Sequence, residues 1–189
     1  FESPVSTNPK WTTQATSGAA SLAINGPATG YGGPYLSMQA VRGAGVDQYF
    51  YVRSAVSGFP HPTANTSLYF EAEFVLGTNV AADANTVIWA GFTSAALAGD
   101  PTAAGIDTIA FRWFGTTDTF WHTYVRGNGA GATATPTASS PVAGAVPGQV
   151  LRIEMYGSAT ELGAATIRFF IDGAVVNTHT TTLPVGGMA

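Results

Sequence analysis

The stretch that decides the fold is Ile167-Arg168-Phe169-Phe170-Ile171-Asp172-Gly173-Ala174-Val175-Val176-Asn177-Thr178-His179. Two β-rich runs flank an Asp-Gly pair, which supplies the two positive-φ residues of a type I′ turn. A two-residue turn sets the register, with Ile171 opposite Ala174, Phe169 opposite Val176 and Ile167 opposite Thr178. Those six side chains share one face, and all but Thr178 are apolar. The other face carries Phe170 with Val175, Arg168 with Asn177 and Thr166 with His179. Local information alone thus predicts a hairpin with a core side and a wetter side.

Moving outward, the same period of two recurs. Leu68, Phe70, Ala72, Phe74 and Leu76 alternate with Tyr69, Glu71, Glu73 and Val75. Ile109, Phe111 and Trp113 alternate with Ala110, Arg112 and Phe114, and Leu151, Ile153 and Met155 with Arg152, Glu154 and Tyr156. Further strands are expected over 21–24, 35–39, 48–54, 86–92 and 119–126, with a weaker one near 133–137. Gly 23 and Pro 11 are spread over the whole length and leave no window for a long helix; the Ala-rich run 95–105 holds one helical turn at most. Residues 126–149, poor in complexity, read as one weak edge strand between loops. Ten or so short strands in one domain spanning 1–189 predict an all-β, two-sheet antiparallel β-sandwich of jelly-roll type.

The chain of 189 residues is long enough for one sizeable core. Charged residues make up only 10%, against roughly 25% in ordinary soluble domains, so the surface is built from Thr, Ser, Asn, Gly and Ala or is covered by protein. The net charge is -4, and six scattered arginines form no basic cluster, which argues against nucleic acid as a partner. No apolar run approaches the ~18 residues of a membrane helix. Without cysteine there are no disulfides, thiolate zinc sites or thiol nucleophiles. A start at Phe1, with neither Met nor signal peptide, is expected of a processed product or a piece.

The order Leu151-Arg152-Ile153-Glu154, Ile167 to Gly173, Val175 to His179 and Leu183-Pro184 resembles concanavalin A-like lectin/glucanase sandwiches. It is most similar to the laminin G-like domains of bacteriophage and bacterial surface proteins. Phe70-Glu71-Ala72-Glu73-Phe74, Ala90-Gly91-Phe92, Ile109 to Trp113 and Trp121-His122-Thr123-Tyr124 follow the same pattern upstream, so the likeness covers about residues 65–184 well. Members carry another strand after the Leu-Pro; here the expectation is that this strand is shared or lies outside the given chain. The superfold hosts lectins, hydrolases, lyases and structural modules, so the likeness speaks to fold more than to function.

Glu71 and Glu73, two apart on one strand face, are the strongest catalytic candidates, at a separation compatible with a retaining glycosidase pair. The resembling β-glucanases use a longer acidic motif with an intervening Asp and a second Glu, both missing here, which favours a solvated face balanced by Arg152 or Arg168. His61, His122 and His179 have no metal-ligand spacing, and no nucleophile-elbow Gly-x-Ser-x-Gly occurs. His122 with Tyr124 imitates only a fragment of the residue set that lyases of this fold use. The resemblance implies at most a single loop-bound calcium, for which Asp83, Asp100, Asp107 and Asp118 stand singly in separate loops. Asn65-Thr66-Ser67 fits a glycosylation sequon, which a prokaryotic or viral source would leave bare.

Aromatic residues are the stronger theme. Alternation gathers Phe120, His122, Tyr124 and Arg126 on one face, Tyr49, Tyr51 and Arg53 on another, and Tyr69 with Glu71 and Glu73 on a third. Flat rings beside guanidinium and carboxylate groups suit a sugar, and equally a protein interface. His122, Tyr124 and Arg126, helped by Arg112, are the expected glycan-binding residues. The expected function is a non-enzymatic bacteriophage virion protein, a capsid decoration or tail component, at the virion surface or outside the cell. Its expected partners are copies of itself, other virion proteins and cell-surface polysaccharide. The rival classes are a secreted glycanase or polysaccharide lyase and a stand-alone carbohydrate-binding module.

Overall fold

A computed structural model describes twelve strands and the turns and loop segments at 76, 86, 94, 101–107, 115, 117–121, 127, 137–142, 148, 172–173 and 180. Among the described residues there is no helix. Two pairs come first: β1 (Trp11–Ala15) runs antiparallel to β4 (Phe50–Ser54), and β2 (Ala20–Asn25) to β3 (Tyr35–Ala40). Two four-stranded antiparallel sheets follow. One has the order β12 (Ala174–His179), β11 (Thr166–Ile171), β10 (Gln149–Tyr156), β5 (Ser67–Phe74). The other is the meander β6 (Val87–Thr93), β7 (Thr108–Phe114), β8 (His122–Arg126), β9 (Thr133–Pro136).

The two sheets face each other across the core that the alternation predicts. Ile109, Phe111 and Val125 from one sheet and Leu151, Ile153, Ile167 and Phe169 from the other are fully buried. The rings interlock edge to face: Phe111 with Phe169 at 5.2 Å, Phe70 with Phe92 at 5.9 Å, and Phe74 with Trp121 at 6.4 Å. Each such side chain contributes about 1.5–3 kcal/mol by leaving water, so this layer outweighs any single turn or ion pair. The fold class is therefore an all-β sandwich. The weak strand foreseen near 133–137 is β9, four residues paired with β8 alone among the described residues.

The Asp-Gly turn forms as expected, with φ of 51° at Asp172 and 81° at Gly173. Asp172 also binds the third strand: its N–H donates to the Val150 carbonyl at 2.9 Å, and its carboxylate accepts the Val150 N–H at 2.8 Å. The expected register holds for Ile171 opposite Ala174 and Phe170 opposite Val175, and then shifts. Beyond the irregularity at Phe169/Phe170, Phe169 lies opposite Asn177, Arg168 opposite Thr178 and Ile167 opposite His179. Val176 is the extra residue of a β-bulge, and one inserted residue reverses the facing of everything after it. His179 thereby leaves the wetter side that simple alternation assigns to it and becomes buried in the sandwich.

Gly91 is a second backbone device. Its φ is 151°, and a Cβ there would lie 2.3 Å from the Ile109 carbonyl oxygen on the neighbouring strand. Only glycine lets β6 and β7 approach this closely.

Candidate functional site

The four residues expected to bind glycan do come together. β8 projects His122, Tyr124 and Arg126 to the side away from the fully buried Thr123 and Val125, and register places Arg112 of β7 opposite His122. The residues between the two strands fold back so that Asp118 sits beside both. Its carboxylate accepts the Phe114 N–H at 3.0 Å, lies 3.3 Å from Arg112 Nη2, and is 3.5 Å from His122 Nδ1. Trp113 Nε1 donates to the Asp118 carbonyl at 2.8 Å, fixing the loop from below. Asp118 is thus a structural acceptor, buried among protein donors.

This face is largely occupied by the protein itself. Tyr124 is only 3% exposed, and its ring meets Trp89 edge to face at 5.0 Å. The Arg126 guanidinium donates to the Thr102 carbonyl, and Arg112 lies 4.4 Å above the Phe114 ring. A sugar would stack on Tyr124 only after its cover moved. Arg112 and His122 keep partial access, at 15% and 16% of their side chains.

The outer face of the other sheet is different in kind. Register there aligns Glu71, Arg152, Phe170 and Val175 in one row across β5, β10, β11 and β12. The next row holds Tyr69, Glu154, Arg168 and Thr178, and Tyr156 with Thr166 begins a third. Tyr69 and Tyr156 stand 54% and 41% exposed, diagonal neighbours on adjacent strands, a spacing of roughly 7–8 Å for such positions. Each phenol is tethered to a carboxylate two residues away: Tyr69 donates to Glu71 at 2.6 Å, and Tyr156 donates to Glu154. Those hydrogen bonds are the leading cause that raises both phenol pKa values above the usual 10.0.

The cations are placed as well. Arg152 stacks 3.8 Å over the Phe170 ring, with its Nε 3.2 Å from Glu154 in an ion pair that lacks hydrogen-bond alignment. Arg168 lies 5.7 Å from the centre of Tyr156. Glu73, at the end of its row, accepts the Gly148 N–H at 2.8 Å. The carboxylate pair of β5 therefore shares a face, as its spacing predicts. One member holds a tyrosine and the other a loop N–H.

Among the described residues no group of three or more His, Asp or Glu side chains has metal-holding geometry. Asp107 is buried, and its N–H bonds Ser94 Oγ at 2.8 Å. Asp83, Asp100, His61, Asn65 and the side chains of Tyr51 and Arg53 lie outside the described residues, as does Tyr49. No family model, curated protein or solved structure matches the chain. The resemblance to concanavalin-like sandwiches rests on the sequence motifs that carry it.

Proposed function

We propose that this chain is a non-enzymatic β-sandwich module of a bacteriophage virion surface, a decoration or tail component, that holds saccharide on the outer face of β5, β10 and β11. The observation that carries this reading is the pair of exposed tyrosines, Tyr69 and Tyr156, each locked by its own carboxylate within a grid of Arg and Glu. Fixed rings offer flat faces to the C–H side of a pyranose at little entropic cost, and the flanking carboxylates and guanidiniums match hydroxyl donors and acceptors. Three carboxylates against two guanidiniums give the face no net positive field, so it suits a hydroxylated ligand better than a polyanion.

The low charge content and Thr/Ala-rich loops support placement within a larger assembly, with copies of the chain or other virion proteins as neighbours. The non-catalytic part of the reading is supported by Glu71 and Glu73, both engaged as acceptors for protein donors. A glycan array and a reducing-end assay on one preparation test it. Binding without release of sugar ends is the expected result. Release that disappears in a Glu71→Gln/Glu73→Gln variant overturns it in favour of a glycanase, and absence of any binding removes the saccharide.

A further inference from the structure

The bulge at Val176 has a chemical consequence at the far end of the same strand. It turns Asn177 and His179 toward Thr123 on the opposite sheet. Asn177 Nδ2 donates to Thr123 Oγ1 at 2.8 Å, and His179 Nε2 lies 2.9 Å from the same oxygen. A single buried hydroxyl thus ties an edge strand of one sheet to an inner strand of the other. His179 also packs its ring edge to face against Phe169 at 5.5 Å, and Ile167 is its partner in register.

We propose that His179 is an acid-sensitive latch: in its neutral form it holds the C-terminal half of β12 on the sandwich, and its protonation frees that half-strand. Three observations support this. Among the described residues, every group that faces the imidazole is uncharged: Phe169 and Ile167 from β11, Thr123 from β8 and Asn177 from its own strand. The charged residues of β8, His122 and Arg126, point to the other side of their sheet, and Arg168 and Glu154 lie on the outer face of theirs. An imidazolium here would therefore be buried without a counter-charge, which the chain relieves most cheaply by moving the strand that carries it.

The second support is position. β12 is an edge strand among the described residues, bonded to β11 alone, so releasing it disturbs one ladder only. The bulge divides it, leaving Ala174 and Val175 held by the turn and Asn177 to His179 held by the Thr123 bonds. The third support is the titration itself. Burial lowers the His179 pKa from 6.5, so the folded state binds its proton less readily than the unfolded chain does. Stability from this residue is therefore complete above about pH 6.5 and declines as pH falls toward the lowered folded value. Freed at low pH, the half-strand uncovers N–H and C=O groups of β11, a template for a strand from another chain.

Amide hydrogen exchange on the whole chain between pH 7.5 and 4.5, corrected for intrinsic rates, tests the latch. The amides of Asn177 and His179, which face β11, are expected to lose at least tenfold protection at the acid end, while those of β7 and β10 keep theirs. In His179→Gln, which keeps a neutral polar group near the Nε2 position, that difference is expected to vanish. Equal protection at both pH values overturns the proposal, as does a uniform loss across all strands or a selective loss that persists in His179→Gln. Should the variant not fold, the wild-type imidazole is followed by NMR instead. Its titration midpoint must coincide with the onset of exchange at Asn177 and His179, and a mismatch overturns the proposal equally.

Discussion

Trp121 Nε1 donates a hydrogen bond to the side-chain oxygen of Gln149, 3.1 Å away, across the gap between the two sheets. The indole is fully buried immediately before β8, and the glutamine opens β10. The same amide oxygen accepts the Val142 N–H at 3.1 Å, and its nitrogen donates to the Ser140 carbonyl at 3.0 Å. One side chain thereby satisfies three partners on the opposite sheet and the segment after β9.

Replacing it is informative because the indole it serves is fully buried, whereas the exposed Val142 and Ser140 backbone groups can turn to water. Gln149→Leu fills similar space but strands a buried indole N–H, so a loss of about 1–3 kcal/mol is expected. Thermal unfolding measures it. Because the lost bond joins the sheets rather than forming within one, exchange protection of Thr137 and Trp121 is expected to fall with it.

Gly173 and Gly91, two of the three positive-φ glycines among the described residues, should behave differently. Around Gly173 there is open space, so Gly173→Val loses only conformational ease, roughly 1–3 kcal/mol. At Gly91 a Cβ meets backbone at 2.3 Å on a strand that cannot retreat without breaking the ladder. Gly91→Ala is therefore expected to cost about 3 kcal/mol or more, although alanine is the smaller addition. A larger loss at Gly173 in chemical denaturation would contradict this ordering.

How much of this was legible in the sequence differs by distance along the chain. The Asp172-Gly173 turn was readable because two adjacent residues determine it, and the alternation in 68–76, 109–113 and 151–155 marked the core. The bulge was not readable. Val175, Val176 and Asn177 fit a strand in either register, and what selects the observed one is Thr123, which His179 meets from 56 positions away. The face of His122, Tyr124 and Arg126 was visible by parity, yet the burial of Tyr124 depends on Trp89 and other tertiary neighbours. The Tyr69/Tyr156 face needed β5 beside β10, a pairing that skips the whole β6–β9 sheet, and no local pattern announces it.

Asp118 shows the same limit. In the sequence it is one acidic residue among several in loops. In the fold it accepts from Phe114 N–H and sits between Arg112 and His122, and it is buried. Asp118→Asn keeps the size but removes the charge facing Arg112. A drop of about 1–3 kcal/mol is expected, read by thermal unfolding at neutral pH, and the loss should persist in high salt because the site is shielded from solvent.

The carboxylates of β5 give a sharper test of chemistry. If their work is to hold Tyr69 and Gly148, Glu71→Gln with Glu73→Gln keeps polar acceptors at both positions. The variant should melt within a few degrees of the wild type and still bind glycan, because the amide oxygens remain acceptors for Tyr69 and for saccharide hydroxyls. A wild type that cleaves polysaccharide, with a double variant that binds it but does not cleave, would assign them a catalytic role instead.

The measurement closest to the central claim is affinity electrophoresis through gels containing bacterial surface polysaccharide, comparing wild type, Tyr69→Ala/Tyr156→Ala and Tyr124→Ala. Both outer tyrosines are exposed, so their joint removal should leave the melting temperature nearly unchanged. It should weaken retention at least tenfold, equivalent to about 1.4 kcal/mol. Tyr124→Ala, which empties a buried ring position against Trp89, should lower the melting temperature and leave the retention of the folded fraction within a few-fold. Retention of the Tyr69→Ala/Tyr156→Ala variant equal to that of the wild type would contradict the account.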